Sequence, residues 1–259
     1  MPRHSRAAAA LLALAAAHAG KVCAAETPSV ETPASASRYT LTANLTLASQ
    51  YRYRGLMQSN NKPAIQGGFD LAHASGFYLG NWNSSISWLD DADSRVSAPV
   101  EMDVYGGYKG NLARDVPVDL GVLQYYYPGD YPSHFTSPDT TELYAGIGYG
   151  PFMFKYSIAL TNLFGFADSK YSQYFDLSGN LDTGVWGLTL NAHIGRQAVR
   201  NVDNGSYVDW KLGLTKDVGQ NLSVSLAYLD TNADRAVYTN SRGRDMGRAT
   251  GLLSLTKTF

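Results

Sequence analysis

Residues Thr40 to Arg54 read TLTANLTLASQYRYR, and the fold turns on how this stretch is read. Leu41, Ala43, Leu45, Leu47, Tyr51 and Tyr53 occupy one face of a period-two repeat. Thr42, Asn44, Thr46, Gln50, Arg52 and Arg54 occupy the other. Successive side chains point to opposite sides only along a β-strand, so the pattern predicts a strand with one apolar and one wet face.

The same alternation returns at about Ala64 to Ala72, Phe77 to Leu89, Val100 to Lys109, Val118 to Tyr127 and Thr141 to Tyr149. It continues at Phe152 to Asn162, Tyr171 to Leu181, Val185 to Arg196, Tyr207 to Lys216, Leu222 to Asp230 and Ala249 to Phe259. No stretch sustains a helical period. The expected fold is all-β, an antiparallel up-and-down transmembrane barrel of twelve strands. The connections separate a membrane barrel from a soluble sandwich. Tight ones (His73 to Gly76, Gly110 to Pro117, Gly150 with Pro151, Asp182 to Gly184, Asp217 to Asn221) alternate with long polar ones such as Pro128 to Thr140, Gln197 to Ser206 and Thr231 to Arg248. Short turns fit the periplasmic end and long loops the cell exterior, which places both termini in the periplasm.

Large apolar residues such as Leu188, Leu190, Ile194, Leu212, Leu214, Val224 and Leu226 share one face, and Ser, Thr, Asn and Gly fill the other. The second face would make a poor protein core but suits a wet lumen. Trp82, Trp88, Trp186 and Trp210, with Tyr51, Tyr53, Tyr126 and Phe152, fall on the apolar face and read as interfacial girdles. The whole chain is 17% charged, against roughly 25% in soluble domains.

Arg3 and Arg6 precede an apolar run from Ala7 to Ala17 and the small residues Cys23 to Ala25. A bilayer-spanning helix needs about 20 apolar residues, so residues 1–25 are expected to be a cleaved signal peptide for export to the outer membrane of a Gram-negative bacterium. Residues 26–38 read as a disordered periplasmic leader and 39–259 as one barrel domain. The cut removes the single cysteine and three of the 21 basic residues, leaving 18 against 22 acidic, a formal charge of −4. Thiol chemistry is thereby excluded, and nothing in the charge favours nucleic acid as a partner. Phe259 at the end of the last strand is the kind of terminal aromatic that barrel-assembly machinery reads.

The run SQYRYRGLMQSNNKPAIQGGFDLAHASGFYLGNWNSSISW, Ser49 to Trp88, resembles the opening signature of the TorF family of porins. Matching positions include Tyr53, Arg54, Gly55, Gln58, Pro63, Ala64, Gln66, Gly67, Gly68, Ser75, Gly76, Phe77, Tyr78, Gly80 and Trp82. Met57 stands where that pattern has a small hydroxyl residue. Glu101, Asp103, Tyr105 and Gly107, the run YYYPG from Tyr125, and the ending LTKTF match more sparsely. The resemblance implies an outer-membrane channel and leaves its solute open.

The alternation turns Arg52, Arg54, Lys155, Arg196 and Lys211 inward, with Asp70, Glu101, Asp103, Asp119, Glu142, Asp176 and Asp209. Of these, Arg52, Arg54, Asp70, Glu101, Asp103, Glu142, Lys155, Asp176, Asp209 and Lys211 are the pore-lining candidates. Opposed charges on a pore wall set ion preference; the alternative is that they pair across strands and satisfy one another. Arg52 and Arg54, at the outer end of the first strand, are the selectivity candidates. Tyr105, Tyr125, Tyr127 and Tyr144 also point inward and would narrow the lumen, and loop Pro128 to Thr140 is a candidate constriction.

Two rival functions remain. A serine hydrolase needs a nucleophile, a histidine base and a group that orients it. Only His73, His134 and His193 outlast signal cleavage, His193 reads as a hydrogen-bonded lumen residue, and no Gly-x-Ser-x-Gly elbow occurs. A paired-histidine metal motif and a phosphate-binding glycine loop are also absent, so no cofactor is expected. The other rival is a closed structural or adhesive barrel displaying its loops. The last one carries Arg235, Arg242, Arg244 and Arg248 and is suited to anionic lipopolysaccharide. The protein is expected to meet outer-membrane lipid and small solutes, and to be a monomer.

Overall fold

A computed structural model describes residues 37–259; the expected signal peptide and most of the expected leader lie outside them. The strands are β1 (Tyr39–Ala48), β2 (Arg52–Tyr53), β3 (Leu56–Met57), β4 (Ala64–His73), β5 (Phe77–Ser85), β6 (Val100–Ala113) and β7 (Val116–Tyr126). They continue with β8 (Thr140–Tyr149), β9 (Phe152–Ala159), β10 (Gln173–Asp182), β11 (Leu188–Ala198), β12 (Tyr207–Gly219), β13 (Leu222–Thr231) and β14 (Thr250–Thr258). All but β2 and β3 form one closed barrel of twelve strands, each antiparallel to its sequence neighbour in the wall. Closure comes from β1, which pairs with β4 from Tyr39↔His73 to Ala48↔Ala64 and with β14 from Asn44↔Thr258 to Ala48↔Ser254.

The wall strands run from 8 residues in β9 to 14 in β6, which brackets the ~9–11 residues that cross a bilayer. In β8, Glu142, Tyr144, Gly146 and Gly148 turn in while Leu143, Ala145, Ile147 and Tyr149 turn out. Leu45, Leu47, Ile65, Phe69, Val122, Phe154, Leu177, Ile194, Leu212, Leu226 and Leu253 are exposed, so an apolar belt surrounds the barrel. Such a belt is stable against lipid, not water. Tyr39, Phe77, Tyr108, Tyr149, Phe152 and Trp186 ring the short-turn end, and Tyr126, Trp210 and Tyr228 stand toward the long-loop end. These are the two interfacial girdles.

Turn chemistry sets the short-turn end. Gln220 and Asn221 (φ +55° and +57°) close β12 onto β13 with the double positive φ of a type I′ hairpin. Both termini of the wall lie at this end.

Four expectations are corrected here. The first strand stops at Ala48, and Ser49 to Pro63 turns into the barrel, carrying the β2–β3 hairpin. Tyr51 and Tyr53 therefore pack inside. Strand β5 ends at Ser85 and is followed by a short helix, α1 (Trp88–Ala92). Trp82 faces inward, its ring 5.5 Å from that of Tyr51, and Trp88 packs edge-on against Tyr127, so Trp186 and Trp210 alone of the four serve the girdles. Arg196 lies on the outer face of β11, because Gly195 and Gln197 on either side of it are buried inside.

The apolar core sits inside the long-loop half of the barrel, where Tyr51, Ala64, Ile86, Leu89, Val96, Ala98, Tyr125 and Tyr127 cluster. Asp91 of α1 ties the loops over it. Its carboxylate accepts from Ser87 Oγ (2.8 Å), Asn60 Nδ2 (3.0 Å) and Arg242 Nε (2.7 Å), and its carbonyl accepts from the Ser241 N–H (3.1 Å).

Candidate functional site

The barrel interior holds two polar layers, one built on the inserted hairpin and one on the strands below it. Arg54 (φ +45°) and Gly55 (φ +78°) form the hairpin tip. The tip spans the lumen: a Cβ on Gly55 would stand 2.7 Å from Asp209 Cβ on β12, so only glycine fits. From there Arg54 donates through Nη1 (2.9 Å) and Nη2 (2.7 Å) to both carboxylate oxygens of Glu142. Its Nη1 also reaches Gln197 Oε1 at 2.8 Å. The guanidinium lies 4.1 Å from the ring centroid of Tyr174, and the two charged side chains are only 6% and 3% exposed. This is the bidentate geometry that arginine suits and lysine does not.

Tyrosines hold the rest of the hairpin. Tyr51 Oη donates to Glu101 Oε1 at 2.7 Å, and the hydroxyls of Tyr53 and Tyr125 hydrogen-bond to each other. Tyr125 also donates to Glu142 Oε2 at 3.4 Å. Asp103 is buried beside this group with Oδ1 unpartnered.

Deeper in the barrel, Tyr105 donates to Asp70 (2.8 Å) and Tyr78 to Asp119 (2.6 Å), while the hydroxyls of Tyr78 and Tyr144 bond each other. The Tyr144 ring lies so close over Gly121 that a Cβ there would collide with it. Lys155 Nζ lies 3.9 Å from the Tyr144 ring centroid and sits opposite Asp176 in the β9–β10 register. Lys211 sits opposite His193 in the β11–β12 register. Among the described residues neither lysine is ion-paired with a carboxylate, unlike Arg54.

The inward candidates therefore divide. Glu101, Asp103, Glu142 and Arg54 form the hairpin layer; Asp70, Lys155, Asp176 and Lys211 belong to the deeper layer, and Asp209 joins the two, touching the hairpin tip at Gly55 and His193 below it. Arg52 joins neither. It does not share a strand face with Arg54 but turns toward the last loop, donating to Gln50 Oε1 (2.8 Å), Met246 O (2.8 Å) and Asn61 Oδ1 (2.7 Å). Burial there pulls its pKa down to about 10, opposed by the nearby Asp245 carboxylate. The segment that enters the lumen is Ser49 to Pro63, whereas loop 128–139 lies over it through Tyr131 and Phe135.

A family described as a bacterial protein of unknown function (Gcw_chp) matches residues 32–259. The chain belongs to this family. Among curated proteins none matches it. Two solved structures of the KdgM porin are similar. One is 9% identical, covers 84% of this chain and 99% of that one, and has a TM-score of 0.52. The other, of KdgM in complex with disordered oligogalacturonate, has the same identity and coverage and a TM-score of 0.51. At that identity the likeness shows the fold: this Gcw_chp chain has the barrel of an outer-membrane porin.

In this family member His193 is a clamp between strands. Its Nδ1 meets Asp176 Oδ2 at 2.7 Å and its Nε2 meets Asp209 Oδ1 at 2.7 Å, with Tyr174 Oη also donating to Asp209. Ser178 sits opposite it in the β10–β11 register with an unpartnered Oγ. A serine triad needs a ring nitrogen free to take the hydroxyl proton. Both nitrogens here face carboxylates, so this arrangement holds strands together and does not activate a nucleophile. Among the described residues no group of acidic, histidine or cysteine side chains could hold a metal ion.

Three participants escaped the reading of the sequence: Gln197 and Tyr174, which complete the Arg54 cradle, and Asp91. The first two sit on inward positions of ordinary strands, and nothing local marks them. The hairpin itself left a signal in Arg54-Gly55 followed by Leu56-Met57 and then Asn60-Asn61-Lys62-Pro63, which is two successive turns.

Proposed function

We propose that the protein is a porin-like channel of the Gram-negative outer membrane for passive diffusion of small polar or charged solutes. The observation that carries this reading is the interior of the closed barrel. It is lined by charges of both signs, with Asp70, Glu142, Lys155, Asp176, Asp209 and Lys211 on inward positions of the wall strands. Such a charged, polar interior suits a wet lumen and would make a poor protein core. The resemblance of Ser49 to Trp88 to the TorF porins supports the same reading. Lys155 and Lys211, which lack ion-pair partners among the described residues, are better placed than Arg54 to act on a passing ion.

The hairpin favours a second reading, a closed barrel that displays its loops, because Arg54 and its tyrosines fill the long-loop half. Planar-bilayer recording of the refolded full chain separates the two. Discrete conductance steps, with a reversal potential that responds to a salt gradient, are expected of a channel. Silent bilayers containing folded protein would refute it in favour of the closed barrel.

A further inference from the structure

The loop between β13 and β14 forms, with Asn61 of the inserted segment, a cleft of about 470 Å³ at the long-loop end of the barrel. The channel reading makes no use of it. Its lining is rich in arginine: Arg235, Arg244 and Arg248 face it, and Asp245 is the one carboxylate among them. Arg52 adjoins the cleft, donating to Asn61 Oδ1 (2.7 Å) and to the carbonyls of Met246 (2.8 Å) and Arg248 (3.4 Å). Four guanidiniums therefore meet a single carboxylate, and the excess is positive.

The backbone fixes where these arginines stand. Tyr238 to Met246 folds into a small hairpin in which Thr239 and Asp245 pair as an antiparallel bridge and the Met246 N–H donates to Tyr238 O at 2.8 Å. Asn240 Oδ1 accepts the backbone N–H groups of Arg242 (3.1 Å) and Arg244 (3.0 Å), and Gly243 takes the turn at φ +72°. Arg242 leaves toward α1, where Asp90 (2.8 Å) and Asp91 (2.7 Å) hold it, while Arg244 and Arg248 stay on the cleft. One arginine anchors the loop, and two remain for a ligand.

Those two are not neutralised by the protein. Asp245 is committed elsewhere, since its Oδ2 accepts from Arg235 Nε (2.8 Å) and its Oδ1 from the Gly247 N–H (2.9 Å). Asp234, the loop's other carboxylate, is not on the lining and accepts the Ala236 N–H at 2.8 Å. Among the described residues the Arg244 side chain makes one hydrogen bond, to Asn60 O at 3.4 Å, and the Arg248 side chain makes none. Both are exposed and can reach a ligand. Asn61, with its Oδ1 turned to Arg52, adds its amide nitrogen as a donor. A carboxylate fills one guanidinium fork, whereas a phosphate monoester carries about −1.5 to −2 charges and three acceptor oxygens, enough for two forks. We infer that this cleft is a binding site for a phosphate group, held between Arg244 and Arg248. A phosphorylated solute and a phosphorylated lipid headgroup present that same chemistry, and the experiment separates them. The site does not depend on an open lumen, because its lining comes from the last loop and from Asn61.

The test has two arms on the folded full chain in detergent: isothermal titration with glucose 6-phosphate, glucuronate and glucose, and retention of lipid A from mixed micelles by the immobilised chain. At least one phosphorylated probe is expected to bind saturably, and glucose not at all. Saturable glucose 6-phosphate binding, tighter than that of glucuronate, assigns the site to a solute; retention of lipid A alone assigns it to a lipid headgroup. In either arm Arg244→Gln and Arg248→Gln should each weaken binding by about three- to tenfold. Arg95→Gln, which removes an exposed arginine paired with Asp93 and not on the cleft, should leave it unchanged. Where a glutamine variant disturbs folding, as read by circular dichroism, Arg244→Lys with Arg248→Lys keeps the charge, loses the forks and should still weaken binding. Failure of both phosphorylated probes to bind, tighter binding of glucuronate than of either, unchanged affinity in the folded cleft variants, or an equal loss in Arg95→Gln would each overturn the assignment. Because no conductance is measured, a failure here is distinct from a failure of the channel reading.

Discussion

Glu142→Ala removes the carboxylate that holds the hairpin tip inside the barrel. In the parent, Arg54 makes two charged hydrogen bonds to it, at 2.7 and 2.9 Å, and both side chains are almost wholly buried. Breaking a buried pair by deleting one partner costs about 3–5 kcal/mol, mostly because a charge is left uncompensated. Arg54 would keep Gln197 at 2.8 Å and the Tyr174 face at 4.1 Å, so we take the lower figure, about 3 kcal/mol. The hairpin can escape that cost by carrying Arg54 into water, and at about 1.4 kcal/mol per factor of ten its undocked population should rise about a hundredfold. Met57, 2% exposed at the base of the hairpin, reports this directly. With Met57→Cys and the chain's single cysteine changed by Cys23→Ser, labelling by a membrane-impermeant maleimide should accelerate by about that factor. Removing both charges, Arg54→Ala with Glu142→Ala, should label more slowly than Glu142→Ala alone, since no stranded charge remains. Equal labelling of Glu142→Ala and its parent would refute the claim that this pair docks the hairpin.

Leu226→Arg places a cation on the lipid face near mid-strand and should cost about 2–4 kcal/mol; an unchanged urea midpoint for folding into vesicles would contradict the assigned outer face. Lys155→Glu combined with Lys211→Glu should move the reversal potential toward cations, whereas Arg52→Glu, which acts among the outer loops, should not. An unmoved potential in the double variant would exclude the two lysines from the conduction path. Asp91→Ala removes the acceptor shared by Ser87, Asn60 and Arg242, a loss of about 1.5–3 kcal/mol for the charged hydrogen bond alone. Trypsin should then cut faster after Arg242 and Arg244, and parental cleavage kinetics would count against Asp91 as the tie between loops.

The barrel was legible from residues alone because its strands obey a local rule. Each wet or apolar choice is made every second residue by the solvent on that face, so β8 shows its inward and outward sets without reference to any neighbour. The alternating loop lengths then decided which end was which. What failed was the stretch from Ser49 to Arg54, where the period-two pattern ran on through a change of direction. A hairpin packed inside a barrel also alternates, and Tyr51 and Tyr53 fit a buried wall as well as a membrane interface. Only tertiary structure could tell those apart, since the partners of Arg54 (Glu142, Gln197 and Tyr174) lie on three separate strands 88 to 143 residues away in the case of its hydrogen bonds. Periodicity is a property of a segment and survives in the sequence; a site assembled across a lumen is a property of closure, and closure brings together residues whose spacing along the chain carries no trace of it.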